Sequence, residues 1–423
     1  MREISFPYGK TKLSYNFDDN ELKSVLTSSV EEYDPKQTGE ELVKAALEKP
    51  VGSPHLCELA RGKKKIVIIA SDHTRPVPSK VIMPSMLDEI RKGNPNADIT
   101  ILIATGCHRG TTKDELINKF GKEIVENENI YIHDCDDRAM LINIGTLPSG
   151  GACEINKLAY EADLLVAEGF IEPHFFAGFS GGRKSVLPGI AGRTTVLANH
   201  CSEFIASPNA RTGVLKDNPI HKDMLWAANK AGLRFIVNVV LNGNKDVIYA
   251  VAGDTEKAHE KGADFLSGLC GVSAEPTDIV ISTNGGYPLD QNIYQAVKGM
   301  TAAEAAVKPG GVIIMLAASG DGTGGDSFYH MIADDDIHNT MKKILSRGRL
   351  ETIPDQWEAQ ILIRILMKAT VIYVSDMPDD VVESMHMIPA HTLDDALETA
   401  KAILNKDEIS ITAIPDGIAV MVV

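Results

Sequence analysis

Cysteine is scarce in this chain of 423 residues, and its few thiols stand apart. The six are Cys57, Cys107, Cys135, Cys153, Cys201 and Cys270, and no two lie closer than 18 positions. There is no CxxC pair, which excludes zinc-ribbon and thioredoxin patterns. Scattered thiols of this kind suit a reducing, cytoplasmic setting. Basic residues are in deficit: 42 Lys and Arg stand against 58 Asp and Glu, a net charge of −16. An acidic surface repels phosphate backbones and argues against a nucleic-acid partner. A small anionic ligand would need a local basic pocket. Long apolar runs are also missing. A stretch such as Gly311–Ala318 is far too short to span a bilayer, and the opening MREISFPYGK lacks the apolar core of a signal peptide.

What is present is an ordinary globular composition, 44% hydrophobic and 24% charged. The length implies about two to three domains. The start alternates as a hairpin, ISFPY and KLSYNF around Gly9. From Lys64 onward, strand, loop and helix repeat. KKIVIIA and DITILIATG are continuous β-branched runs of the buried parallel type. Helices are expected at Lys80–Lys92, Lys113–Glu126 and Thr194–Ala206, and a further strand at Ala162–Gly169. A second series begins near Pro276 with DIVIS, a helix over Ile293–Val307, GVIIMLAAS and VIYVS. Repeated units of this kind imply parallel sheets with right-handed crossovers. The expected architecture is α/β: two doubly wound domains with an active-site cleft between them. The first spans 1–270 and carries any cofactor, the second spans 276–410, and residues 411–423 return to the first.

One stretch dominates the loops. Gly169–Gly192 reads GFIEPHFFAGFSGGRKSVLPGIAG. Its glycines let backbone N–H groups approach a ligand closely. Phe175, Phe176 and Phe179 bring apolar area that must be buried, which argues against disorder. Lys184 within it is either an anion clamp or a nucleophile that can be tethered. The segment Gly178–Ser185 approaches a P-loop, but Arg183 stands where its second glycine belongs and Pro188 interrupts the helix that should follow. Gly320–Gly325 matches GxGxxG after a strand, yet no carboxylate ends a second strand about 20 residues on.

Open parallel sheets bind ligands beyond the carboxyl ends of their strands, and the unusual residues of this sequence gather there. Asp72, His73, Thr74 and Arg75 follow the first strand, His108 the second, and His174 and Lys184 the strand ending at Gly169. Taken singly, Asp72 is as well explained as a turn cap and Arg75 as a solvated loop charge. His108, His174 and His200 could each be a buried, hydrogen-bonded histidine. Lys298 gains weight from Gln295, one turn back on the same helix face.

Taken together, DHTRPVPS, TGCHR, EPHFFAGFSGGRKSVLPGIAG, NH at 199–200 and STNGGYPLDQNIYQAVKG resemble the nickel-dependent lactate racemase family over essentially the whole chain. The resemblance implies a cofactor: nickel(II) held in the S–C–S pincer of a pyridinium-3,5-bisthiocarboxylic acid mononucleotide, joined to Lys184 as a thioamide. It implies His200 as the metal's protein ligand, and Asp72, His73, Thr74 and Arg75 as residues that hold or face the cofactor. It implies that His108 and His174 exchange the C2 hydroxyl proton of lactate while hydride leaves and returns through pyruvate. Arg75, Gln295, Lys298, Tyr294 and Trp357 are the implied substrate contacts. Cofactor-maturation enzymes are implied partners. Two other readings remain open, a racemase or epimerase of another 2-hydroxyacid such as malate, and a phosphate- or nucleotide-binding module.

Overall fold

The computed structural model describes residues 1–423. The chain divides into two compact units: residues 30–268 with 349–351, and residues 1–29, 269–348 and 352–423.

The first unit is built on a six-stranded sheet. In spatial order its strands are Val247–Gly253, Leu233–Leu241, Leu164–Phe170, Lys65–Ser71, Asp98–Ala104 and Asn129–Ile132. All neighbours are parallel except the first pair, which is antiparallel. The reason is visible in the residues. Ile66 to Ala70 are buried throughout, as are all seven residues of Leu164–Phe170, and strands buried on both faces are apolar along most of their length. The helix Gly39–Glu48 starts at a Thr38–Glu41 capping box, and Ser79–Gly93 supplies Ile82, Met83, Met86 and Ile90 to the same core. Strand order reverses between Lys65–Ser71 and Leu164–Phe170. Later strands add on one side of Lys65–Ser71 and earlier ones on the other. That reversal is where sheets of this type open a crevice for ligands.

The second unit has a six-stranded sheet that is parallel throughout. Its order is Ile388–Ala390, Thr370–Val374, Val307–Leu316, Thr277–Thr283, Ile411–Ile414 and Leu22–Val25. Two expectations about boundaries are corrected here. Residues 411–423 do not return to the first unit. Ile411–Ile414 is buried along its length and gains both ladders from Thr277–Thr283 and Leu22–Val25, and Met421–Val422 pairs with Gly271–Val272. Nor does the amino terminus belong with residues 30–268. The hairpin Arg2–Tyr8 and Thr11–Phe17 forms around Gly9, but its Ile4, Phe6 and Phe17 bury against Ile279, Ile281, Ile314 and Ala413. The physical cause is the same in both cases: apolar side chains at both chain ends complete one core.

Smaller departures have local causes. The helix expected over Lys113–Glu126 is two, Lys113–Phe120 and Lys122–Asn127, because Gly121 adopts φ 87° between them. The helix expected over Thr194–Ala206 breaks after Asn199, at His200 and Cys201. No helix is long and apolar enough to cross a membrane.

Candidate active site

The first cluster forms where the strands Lys65–Ser71 and Asp98–Ala104 end. Asp72 is buried, and its two carboxylate oxygens are divided between two tasks. Oδ1 accepts from the Thr74 amide at 3.2 Å and the Thr74 hydroxyl at 2.7 Å. Oδ2 accepts from His108 Nδ1 at 2.8 Å. Burial pushes the Asp72 carboxyl up, but the bonds from His108 and Thr74 and the charges of His108 and Arg75 outweigh it and hold it below the usual range. Because an ionised carboxylate only accepts, His108 carries its proton on Nδ1, which assigns the lone pair of its neutral form to Nε2. The His108 side chain is 43% exposed while Asp72 is 1% exposed, so the buried member orients the ring and leaves its far edge open. Arg75 Nη1 donates to Thr74 Oγ1 at 3.1 Å. His73 is not part of this group; its Nδ1 meets Thr111 Oγ1 at 3.1 Å and lies 3.8 Å from Glu115.

The second cluster belongs to the loop after Leu164–Phe170. The loop doubles back as a short antiparallel pair, Pro173–His174 with Gly178–Phe179. Two glycines make its path possible. A Cβ on Gly178, at φ 78°, would stand 2.4 Å from the Val214 carbonyl oxygen, and one on Gly181, at φ 77°, 2.7 Å from that of Phe170. Lys184 then falls in the 3-10 turn Gly182–Ser185 rather than at the start of an α-helix, as a P-loop lysine would. Phe176 is the hub. The His174 ring meets it edge-on at 4.5 Å between centroids, the His200 ring at 5.1 Å, and Lys184 Nζ lies 5.9 Å from its centre. Three residues separated in sequence thus surround one aromatic ring. The turn of Thr105–His108 is tied to the same loop, since the Gly106 N–H donates to the Gly189 carbonyl at 2.9 Å.

The histidines of this cluster are in complementary states. His200 ends the helix Arg193–Asn199 and donates from Nδ1 to the Val196 carbonyl at 3.0 Å, which directs the ring's lone pair to Nε2. Burial, assisted by the charge of Lys184, pushes its pKa down to about 3, so the ring is neutral. A neutral imidazole oriented by a backbone carbonyl through its other nitrogen is the usual state of a metal-binding histidine. His174 is the reverse, because its Nδ1 accepts the Ala177 N–H at 3.3 Å and the neutral ring carries its proton on Nε2.

A third group lies in the second unit, on the helix Ile293–Ala306 and the helix Gln356–Lys368. Lys298 Nζ donates to Gln295 Oε1 at 2.7 Å, as their spacing implies. The Tyr294 hydroxyl is hydrogen-bonded with Asp355 and Trp357. Glu358, which the sequence gave no reason to single out, is buried beside them; burial pushes it up to about 8 against the pull of Lys298.

Two further buried groups escaped the sequence reading. Arg183 donates to the carbonyls of Phe179 and Ala177 at 2.8 and 2.7 Å and faces His259 Nε2 at 3.0 Å. No carboxylate neutralises it, and burial pushes it down to about 9. Glu168 accepts from Ser79, keeps one oxygen without a partner, and is pushed up by burial. An acid inside an otherwise apolar strand, LLVAEGF, was the available signal for Glu168. For Arg183, adjacency to Lys184 hid it.

The first two clusters define a class: an α/β protein with imidazole, amine and carboxylate groups gathered at the switch point of an open parallel sheet. Comparison with known proteins narrows the class. Residues 8–213 match the model of the lactate racemase N-terminal domain and residues 272–422 that of the lactate racemase C-terminal domain. The chain is 57% identical to a lactate racemase of Thermoanaerobacterium thermosaccharolyticum, covering 100% of this chain and 99% of that one. It is 55% identical to one of Lactiplantibacillus plantarum, covering 100% of both. The solved structure of the T. thermosaccharolyticum apoprotein superposes with a TM-score of 0.96, covering 100% of both chains. A Thermotoga maritima protein at 20% identity shares the fold, with a TM-score of 0.62 over 91% of this chain and 97% of that one. The chain belongs to the lactate racemase family, and its relatives carry the name of an isomerase.

Proposed function

We propose that this protein interconverts D- and L-lactate, with Lys184 tethering a nickel-pincer nucleotide, His200 ligating the metal, and His108 and His174 exchanging the substrate's hydroxyl proton through a pyruvate intermediate. The observation that carries the reading is the ring of His174, Lys184 and His200 around Phe176, tied by Gly106 and Gly189 to the turn bearing His108.

The donor chemistry fits the implied group. His200 is neutral, with its Nδ1 proton committed to a carbonyl, and imidazole with soft sulfur suits Ni(II). The glycines around Lys184 let its loop fold closely on itself: a Cβ at Gly181, Gly182 or Gly189 would meet the Phe170 carbonyl, the His259 ring or the Ser185 carbonyl. When bound, the nucleotide supplies a hydride acceptor, which lactate needs because its C2–H is a poor acid beside an ionised carboxylate.

The chain's own residues do the rest. His108, with its lone pair on Nε2, is set to receive the hydroxyl proton of one enantiomer. His174, with its neutral form's proton on Nε2, is set to hydrogen-bond the ketone oxygen, and it returns a proton there from its imidazolium form. The two roles exchange when the reaction starts from the other enantiomer, as microscopic reversibility requires. Asp72 stabilises the His108 imidazolium and fixes its ring. Arg75, Gln295 and Lys298 are assigned to the substrate's oxygens through charge-assisted bonds, with Tyr294 and Trp357 as apolar wall. Thr74 positions Asp72 and Arg75.

Intact mass of protein from its native host tests the tether. An adduct at Lys184 and about one nickel per chain are expected, both absent from Lys184→Ala. Active protein with neither would overturn the reading. A panel of enantiopure 2-hydroxyacids, followed by chiral chromatography, tests the substrate; faster turnover of malate than lactate would replace it.

A further inference from the structure

The ring of His174 receives one backbone hydrogen bond, and the group that aims that bond lies at the start of a distant helix. The donor is the Ala177 N–H, 3.3 Å from His174 Nδ1. It belongs to the peptide that joins Phe176 to Ala177. That peptide is planar and trans, so its carbonyl and its N–H point in opposite directions and turn together. The carbonyl end is held: Asn218 Nδ2 donates to the Phe176 oxygen at 2.9 Å. We propose that Asn218 is a positioning residue for His174, acting through the Phe176–Ala177 peptide to keep the proton of the neutral ring on Nε2. This role builds on the proton exchange assigned to His174 above.

Asn218 is buried, and its amide is committed at both ends. It caps the helix Pro219–Ala231, where Oδ1 accepts the N–H groups of Ile220 and His221 at 3.0 and 3.3 Å. Nδ2 donates to the carbonyls of Phe176 and Val214, each at 2.9 Å. The reversed amide would set its oxygen against two carbonyls and its N–H₂ against two N–H groups, so the orientation is unique. The helix start therefore fixes the side chain that fixes the loop. The turn before that helix is docked on the same loop, since the Gly213 N–H donates to the Gly178 carbonyl at 2.9 Å. Gly178 in turn lies so close to the Val214 carbonyl that a Cβ would stand 2.4 Å from it. Arg183 Nη2 holds the next carbonyl along, that of Ala177, at 2.7 Å. The peptides before and after the Ala177 Cα are thus both pinned, and the N–H between them stays aimed at His174.

Without that bond a neutral imidazole can carry its proton on either nitrogen. Only one of the two forms presents Nε2–H to a substrate oxygen. The two tasks of Asn218 can be separated by substitution. Serine retains a capping oxygen but is too short to reach Phe176, whereas alanine loses both the cap and the reach.

The test uses full-length protein carrying its cofactor, with the histidine ring nitrogens isotopically labelled for NMR and the His174 signals assigned by their loss in His174→Gln. At alkaline pH the wild type should show Nδ1 as an unprotonated ring nitrogen and Nε2 as a protonated one. In Asn218→Ser and Asn218→Ala the two shifts should move toward one another, equally in both, while Asn218→Ser melts above Asn218→Ala. For lactate, kcat should fall about tenfold in both variants, the scale of one lost hydrogen bond, with KM and the Lys184 adduct unchanged. His174 shifts that keep their wild-type values in either folded variant, or a kcat that follows the melting temperatures of the two variants instead of their shifts, would overturn the proposal. The NMR readout is independent of the racemase assignment: a tautomer change in protein that never turns over lactate sinks that assignment and leaves Asn218 as the residue that sets His174.

Discussion

Asp72 shows how one buried carboxylate serves two ends. Its Oδ1 closes a local turn with Thr74 while Oδ2 orients His108. Asp72→Asn keeps the shape but replaces an obligate acceptor with a group that can present N–H₂ to His108 Nδ1, forcing the ring proton to Nε2. Turnover in both directions is expected to fall about 10²–10⁴-fold with nickel content unchanged. Steady-state kinetics beside metal analysis checks both. Two other histidines report on stability. Burial pushes His221 down to about 3 and His259 well below its ordinary value, with the charge of Arg183 adding to each. Between their folded pKa and the ordinary value near 6.5, only the unfolded chain takes up these protons. Stability is therefore complete above pH 6.5 and declines as pH falls, by about 1.4 kcal/mol per pH unit for each group. Urea melts at pH 6.5, 5.5 and 4.5 should show this slope, and His221→Gln should remove about half of the part due to the pair.

At the scale of elements, the loop between Leu164–Phe170 and Arg193–Asn199 carries its specification in glycine. Gly178→Ala puts a methyl group into the Val214 carbonyl at a positive φ. It is expected to cost about 1–3 kcal/mol and, by displacing the strand that pairs with His174, to lower Lys184 loading. Thermal melts and intact mass read the two effects separately. Much of this site was legible beforehand. Strand ends were readable from β-branched runs, so Asp72, His108, His174 and Lys184 could be placed at one edge of a sheet by counting. What composition could not convey was the break at His200. A helical pattern ran through it, and only the bond from His200 Nδ1 back to Val196 shows why the helix stops there. Glu358 was unreadable for a related reason: an acid on an amphipathic helix is normally a solvent-facing residue, and its burial depends on what packs against it. Arg183, joined to backbone carbonyls and His259 Nε2 rather than to a carboxylate, leaves no acidic partner in the sequence to find.

Over the whole molecule, the misread feature was membership rather than structure. The hairpin at residues 2–17 was foreseen, yet it and residues 411–423 were each assigned to the wrong body. Alternation tells which face of a strand is buried but not against what. Phe6→Ala tests the revised membership. Removing a fully buried ring is expected to cost about 3–5 kcal/mol. Hydrogen exchange should quicken in Thr277–Thr283 and Ile411–Ile414 while Lys65–Ser71 stays protected.

The same membership dictates an order of assembly during synthesis. Residues 30–268 form one continuous body whose sheet is complete once Val247–Gly253 has been made. The other body holds residues from both ends of the chain. Its hairpin leaves the ribosome before residues 30–268, but the strand that seals its sheet, Ile411–Ile414, leaves after them. Phe6 and Phe17 must therefore wait until Ile411–Ile414 has been made before their core is complete. A chain stalled near residue 400 should yield a protease-resistant 30–268 body with an amino-terminal hairpin still open to cleavage.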